Sequence, residues 1–159
     1  MFKHILVGFD GSASSQRGFN TALEIASSLG GDLTVMQVLS GYDHVFGDSR
    51  PARDLPTRSA YESAVMAAAQ RAVAGLADAA RARGVACRSV LEFAAEPHRA
   101  LLQQALRCDC DLIVMGNGDG DQGASMSPGG ETESTLVYGS IPVLVVGALP
   151  PDPCRLPAG

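Results

Sequence analysis

Short, nearly continuous apolar runs alternate along this chain with longer stretches in which apolar residues return at helical spacing. Ile5 to Phe9 is apolar and gives way to Asp10-Gly11-Ser12, which predicts a buried strand closing at Asp10, a turn and a helix N-cap. From Ser14 to Leu29 the residues Phe19, Ala22, Leu23, Ile25, Ala26 and Leu29 form one stripe, and Gly30-Gly31 supplies the stop. Leu33 to Leu39 predicts a second strand, apolar at most positions as a sheet covered on both faces requires. Ser40 to Thr57 is aperiodic and rich in Gly, Pro, Asp and Arg, so it predicts a long, mobile surface loop. Tyr61 to Arg83 is Ala-rich, with Val65, Ala68, Ala69, Ala72, Val73 and Leu76 on one stripe, and predicts a helix closed by Gly84.

A third strand is predicted over Val85 to Phe93. Pro97 then suits the first turn of a helix that turns Leu101, Leu102, Ala105 and Leu106 inward and ends near Cys108. Leu112 to Met115 predicts a fourth strand. After a glycine-rich loop, Glu131 to Tyr138 predicts a short helix with its acids in the first turn, where the helix dipole favours them. Pro142 opens a fifth strand, Val143 to Val146, and a Pro-rich tail follows over 149–159. The order βαβαβαβαβ predicts a single α/β domain over 1–148, a five-stranded parallel sheet between two helical layers. Ligands of such sheets bind beyond the C-terminal strand edges, where strand order reverses. The places to search are Asp10, Val38 and the loop from Gly116.

Composition narrows the function without naming it. A chain of 159 residues with 46% hydrophobic content can bury one good core. Twelve basic against 17 acidic residues give a net charge of −5, which repels nucleic acid and acidic membranes at long range, so neither is an expected partner. The N-terminal MFKHILVGFD is too short for a signal h-region, and no segment reaches the roughly 18 apolar residues of a membrane helix. The expectation is a soluble, cytoplasmic protein. Four cysteines, at 87, 108, 110 and 154, are too few and too irregular for a disulfide scaffold, so reduced thiols are expected. The absence of Trp argues against a stacking platform for bases or sugars.

Two stretches could carry chemistry. Asp10 stands at a strand end, where a carboxylate can accept from a ribose or a metal-bound water, or can form the turn that starts the next helix; both readings are open. Gly116, Gly118, Gly120, Gly123, Gly129 and Gly130 make a loop able to wrap an anion, yet it lacks the GKT or GKS ending of a P-loop. No Lys or Arg occurs between Arg107 and Arg155, while Asp119, Asp121, Glu131 and Glu133 are present. Each of these carboxylates opposes a triphosphate by about 1 kcal/mol or more at close range. A divalent cation such as magnesium, held by Asp119, Asp121 or Glu131, would reverse the sign; without one the segment is a solvated acidic loop. Cys108-x-Cys110, with His98 ten residues earlier, lacks the second pair of a zinc signature. No nucleophile elbow, HExxH or Ser/His/Asp order appears, so the expected protein is not an enzyme.

KHILVGFDGS, DLTVMQVL, AEPHRALLQQA, DLIVMG and IPVLVV together resemble the universal stress proteins, the UspA-like domains, over Lys3 to Val146. The resemblance implies a Rossmann-like (adenine nucleotide alpha hydrolase-like) three-layer sandwich. It also implies a stress-response homodimer joined through its fifth strand that binds ATP or another adenine nucleotide such as AMP. Asp10, at the end of the Gly8-Phe9-Asp10 strand exit, would contact the nucleoside, and backbone near Val38 would receive the adenine. Phosphates would lie on a loop patterned G-x-x-G, nine residues, then G-S or G-T, following Met115. Gly116 matches the first glycine, Asp119 stands at the second, Gly129 matches the third, and Gly130 replaces the hydroxyl residue. Gly118 or Gly120 is the nearest substitute glycine, and Ser125, Ser127 or Thr132 the nearest hydroxyl, with Glu131 beside them. Ala95 stands where a glycine precedes the third helix in the family. These departures leave a second reading open, a nucleotide-independent dimeric interaction module.

Overall fold

The computed structural model describes residues 1–47, 55–117 and 140–147. In chain order its elements are β1 (His4–Gly8), α1 (Ala13–Leu29), β2 (Asp32–Leu39), α2 (Tyr42–Phe46), α3 (Arg58–Ala82), β3 (Cys87–Phe93), α4 (Pro97–Arg107), β4 (Leu112–Gly116) and β5 (Val143–Val146). The five strands form one all-parallel sheet in the order β3-β2-β1-β4-β5. The predicted helix over Glu131 to Tyr138 and the tail from 149 lie outside the described residues.

The period-2 alternation of each strand assigns the two sheet faces. Ile5, Val7, Leu33, Val35, Leu112 and Val114 meet Phe19, Ala22 and Ala26 of α1 and Val73, Leu76 and Ala80 of α3 in one core. Leu6, Met36, Ile113 and Met115 meet Ala100, Leu101 and Ala105 of α4 in the other. Helices thus cover both faces, as the near-continuous apolar runs require. Truncating a fully buried residue such as Leu101 or Ile113 to alanine would cost about 2–5 kcal/mol.

Local chemistry sets the element ends. Ser12 caps α1, its side chain accepting from the Ser15 N–H, and Gly30 closes the helix in the left-handed region at φ 66°. Pro97 stands in the first turn of α4 as its fixed φ allows. That helix ends in a Schellman pair: the Cys110 N–H donates to the Ala105 carbonyl at 2.8 Å while Asp109 takes a positive φ of 50°. The aspartate that opens the DLIVMG stretch has a structural purpose. Asp111 accepts from the backbone N–H groups of Lys3 (2.8 Å) and His4 (3.1 Å), and its own N–H donates to the His4 carbonyl at 2.9 Å. The start of β1 is thereby clamped to the start of β4.

The structure departs from the sequence expectations at several places. β1 ends at Gly8 rather than Asp10, because Asp10 bends into a turn. β3 begins at Cys87 rather than Val85, whose N–H instead donates to Ala80 at the end of α3 (3.0 Å). Leu29 and Leu106, expected on the apolar stripes, are 52% and 60% exposed: Leu29 is the last residue of α1, and Leu106 lies off the buried line of Leu101 and Ala105 on α4. Ala68 and Ala72 are also exposed; the buried stripe of α3 is Ala69, Val73, Leu76 and Ala80. The segment Ser40 to Thr57 is not wholly irregular. Its first part folds into α2, and α3 starts at Arg58 rather than at Tyr61.

Candidate functional site

Strand order reverses between β1 and β4. α1 leaves β1 toward β2 on one face, and α4 enters β4 from β3 on the other, so the C-terminal ends of β1 and β4 part around a crevice. Gly8, Phe9 and Asp10 stand at the exit of β1, Val38 at the end of β2, and Met115 and Gly116 at the end of β4. The structure therefore brings these six expected residues to one edge of the sheet. Gly118, Asp119, Gly129, Gly130, Glu131 and Thr132 lie outside the described residues.

What each of the six can offer differs. The Phe9 ring is 7% exposed and packs in the α1/α3 core, and Met115 is fully buried in the α4 core. These two, like Gly8, can meet a ligand only through backbone. In β2 the Leu33 N–H and the Leu39 carbonyl bond toward β3, while the Asp32 N–H and the Met36 carbonyl bond toward β1. Alternation then aims the Val38 amide and carbonyl toward β1, two residues past the last ladder pair, Gly8 with Met36. That is the backbone edge an adenine ring would need.

Asp10 is part of a compact turn. Its Oδ1 accepts from the Ser12 N–H at 2.8 Å, and Gly11 between them takes a φ of +86° that favours glycine. The Asp10 N–H donates to Ser15 Oγ at 3.4 Å, and Ser15 Oγ in turn donates to the Ser12 carbonyl at 3.0 Å. Ser12 and Ser14 hydroxyls lie 3.0 Å apart. Ser14 and Ser15 are buried, at 3% and 2% exposure. The turn-forming role of Asp10 is thus realised, and it leaves the carboxylate half-buried at the mouth of the crevice.

The serine cluster was not among the candidates read from sequence, although its signal, a serine run directly after Asp-Gly, is plain in the chain. It builds the floor on which β4 ends. A Cβ on Gly116 would lie 2.7 Å from Ser15 N and closer still to the Ser14 carbonyl, so only glycine fits there. The first turn of α1 carries no acid, and its helix dipole favours negative charge near the crevice. Beyond the ends of β2 and β3, Gly41, Asp43, His44, Phe93, Ala94 and Ala95 enclose a further hollow of about 200 Å³. Among the described residues no group of three His, Cys, Asp or Glu side chains could hold a metal ion, and no helix is long and apolar enough to cross a membrane.

Comparison with known proteins agrees with this fold. The chain is 30% identical over 146 residues to the Thermus aquaticus "universal stress protein in QAH/OAS sulfhydrylase 3'region", covering 92% of this chain and 99% of that protein. A universal stress protein family structure from Burkholderia pseudomallei superposes with a TM-score of 0.73 at 24% identity, over 91% of this chain and 96% of that one. A universal stress protein crystallised with cAMP matches with a TM-score of 0.63 at 26% identity, over 91% and 97% of the two chains. The model of the universal stress protein family matches residues 1–147. The chain belongs to the universal stress protein family.

Proposed function

We propose that this protein is a regulatory, non-catalytic member of the family that takes an adenine nucleotide in the crevice between β1 and β4. The observation that carries the reading is the convergence of Asp10, the β1-facing backbone of Val38, and Gly116 with the serine floor at the reversal of strand order. The cAMP held by a relative of the same fold supports an adenine ligand. In this reading Asp10 accepts from the ribose while keeping its bond to the Ser12 N–H, Val38 backbone pairs with the adenine edge, and the N-terminal turn of α1 faces the phosphate. The acids of the following loop favour a nucleotide with few phosphates or one that brings magnesium.

Calorimetric titration with AMP, ADP and ATP, with and without magnesium, tests it. Saturable heat that falls about tenfold or more for Asp10→Asn supports the reading; no heat with any nucleotide defeats it. The competing reading, a nucleotide-independent interaction module, is motivated by Asp119 and Gly130 at the expected glycine and hydroxyl positions. It requires that the parent chain bind nothing and that Asp119→Gly with Gly130→Ser create affinity.

We also propose a homodimer joined at β5. This strand closes one end of the sheet, its sequence is VLVV, and Leu144 is 36% exposed. An apolar edge strand is a template for pairing with a second copy. Sedimentation equilibrium should give twice the chain mass, and Leu144→Lys should shift it to one.

A further inference from the structure

A second polar cavity, of about 280 Å³, lies at the opposite edge of the sheet and is lined by His4, Asp32, Leu33, Ala86, Arg88 and Cys108. His4 opens β1, Asp32 opens β2, Arg88 is the second residue of β3, and Cys108 caps the C-terminus of α4. The cavity therefore sits under the N-terminal strand ends, remote from the crevice at the C-terminal ends. Register explains the grouping. His4 pairs with Asp32 and Thr34 with Arg88, and alternation puts all four on the face of Leu6 and Met36, the face that packs on α4.

Two walls of the cavity are held in place. His4 Nε2 lies 2.9 Å from Thr34 Oγ1, whose residue is fully buried, and Gln104 Nε2 donates to Cys108 Sγ at 2.9 Å. The other two walls are charged and opposite in sign, yet Asp32 and Arg88 form no ion pair with each other or with any other charge among the described residues. Both residues are exposed and line the same hollow; a carboxylate and a guanidinium so placed, without pairing, are complementary to a ligand that carries both charges. A lone carboxylate would meet Arg88 but be repelled by Asp32, and a lone ammonium the reverse. The volume, just under the roughly 300 Å³ at which drug-sized sites begin, suits a small metabolite.

We propose that this cavity binds a small zwitterion of the α-amino acid class. The ligand ammonium donates to the Asp32 carboxylate, its carboxylate accepts from the Arg88 guanidinium, and its side chain lies toward Cys108. Both contacts are charge-assisted hydrogen bonds, the stronger kind, and Arg88 offers the planar fork that fits a carboxylate. The site is independent of the nucleotide crevice and does not rest on it.

Titration of the isotope-labelled full chain with L-alanine and L-methionine, followed by amide chemical shifts, is the test. Saturable shifts are expected at Asp32, Arg88 and Cys108, with affinity about tenfold or more above that for propionate or ethylammonium, which carry one charge each. Arg88→Gln and Asp32→Asn should each weaken binding by a similar factor at unchanged melting temperature. The absence of saturable shifts at high millimolar amino acid, equal affinity for the singly charged analogues, or undiminished affinity in both variants overturns the proposal. A second measurement stands apart from the variants' folding. Alkylation of Cys108 by iodoacetamide, mapped by peptide mass in the unmodified chain, should slow with L-methionine and not with propionate; a rate indifferent to L-methionine overturns the proposal as well.

Discussion

Gly116 at the end of β4 lies directly under the backbone of Ser15 in the first turn of α1, so close that a Cβ on Gly116 would stand 2.7 Å from Ser15 N. The obstacle is main chain, which cannot swing aside as a side chain would. Gly116→Ala should therefore destabilise the protein by about 3 kcal/mol, the upper end of overpacking costs. Gly18, one turn further along α1, is the control. A Cβ there would be 3.2 Å from Gly116 N, a tight contact, but alanine would also gain about 0.5–1 kcal/mol of helix propensity. Gly18→Ala should fall within about 1 kcal/mol of the parent. Urea melts of both variants check the pair, and a Gly116→Ala chain as stable as the parent would refute the close approach.

Asp10 separates two roles that one residue combines. Asp10→Asn keeps an oxygen to accept from the Ser12 N–H, so the turn and the stability should survive while any contact that needs the negative charge is lost. Asp10→Ala removes the acceptor and should cost about 1 kcal/mol in stability as well. Denaturant melts set against nucleotide titrations of the same two variants distinguish the roles. Equal stability of the alanine variant and the parent would show that the turn does not depend on the carboxylate.

The fold was legible because each element carries its own period. Ile5-Leu6-Val7 and Leu112-Ile113-Val114-Met115 are buried on both sides, so apolar runs alone identify the central strands, and Ser12 and Gly30 mark the ends of α1 without help from distant residues. Gly116 shows where sequence reading falls short. In the chain it reads as the first glycine of a phosphate loop, whereas its backbone is also required by the approach of Ser14 and Ser15, from a segment a hundred residues earlier. No local pattern reveals such a contact. Leu106 fails for another reason: one residue after the buried Ala105, it lies about 100° further around the helix and faces out, which apolar spacing alone does not tell.

The same limit hid α2. Tyr42 to Phe46 is too short to display a period, and it holds its shape through α3 rather than through its own propensity. The Tyr42 and Phe46 rings lie 5.8 and 5.3 Å from that of Tyr61, and the Tyr61 hydroxyl donates to the Ser40 carbonyl at 3.2 Å. Arg58 sits over the Tyr42 ring at 5.5 Å while bonding Asp43 at 2.5 Å. The ion pair is exposed and contributes little, so the rings should dominate. Tyr61→Ala should detach α2, raising amide exchange across Tyr42 to Phe46 and leaving β1 and β4 protected. Arg58→Ala should leave that exchange nearly unchanged. Unaltered exchange over α2 in Tyr61→Ala would show that the aromatic cluster does not hold it.

Cys110 couples stability to alkaline pH. It is 6% exposed in the α4 core, and burial, followed by the charges at Cys108, Asp111 and Asp109, pushes its thiol up to about 12 from an ordinary 9.0. A thiol raised on folding stays protonated in the native state where the unfolded chain has already lost its proton. Between pH 9 and about 12 the native state thus binds more protons, and stability must fall as pH rises through that window. Below pH 9 both states are protonated and the contribution is flat. Cys110→Ala removes the titrating group, so its melting temperature should decline less steeply than the parent's over the same interval. Peptide mapping after iodoacetamide treatment of the native chain should show Cys110 unmodified under mildly alkaline conditions, because both access and thiolate are lacking. Parallel pH profiles for the parent and Cys110→Ala would show that this thiol does not carry the alkaline loss.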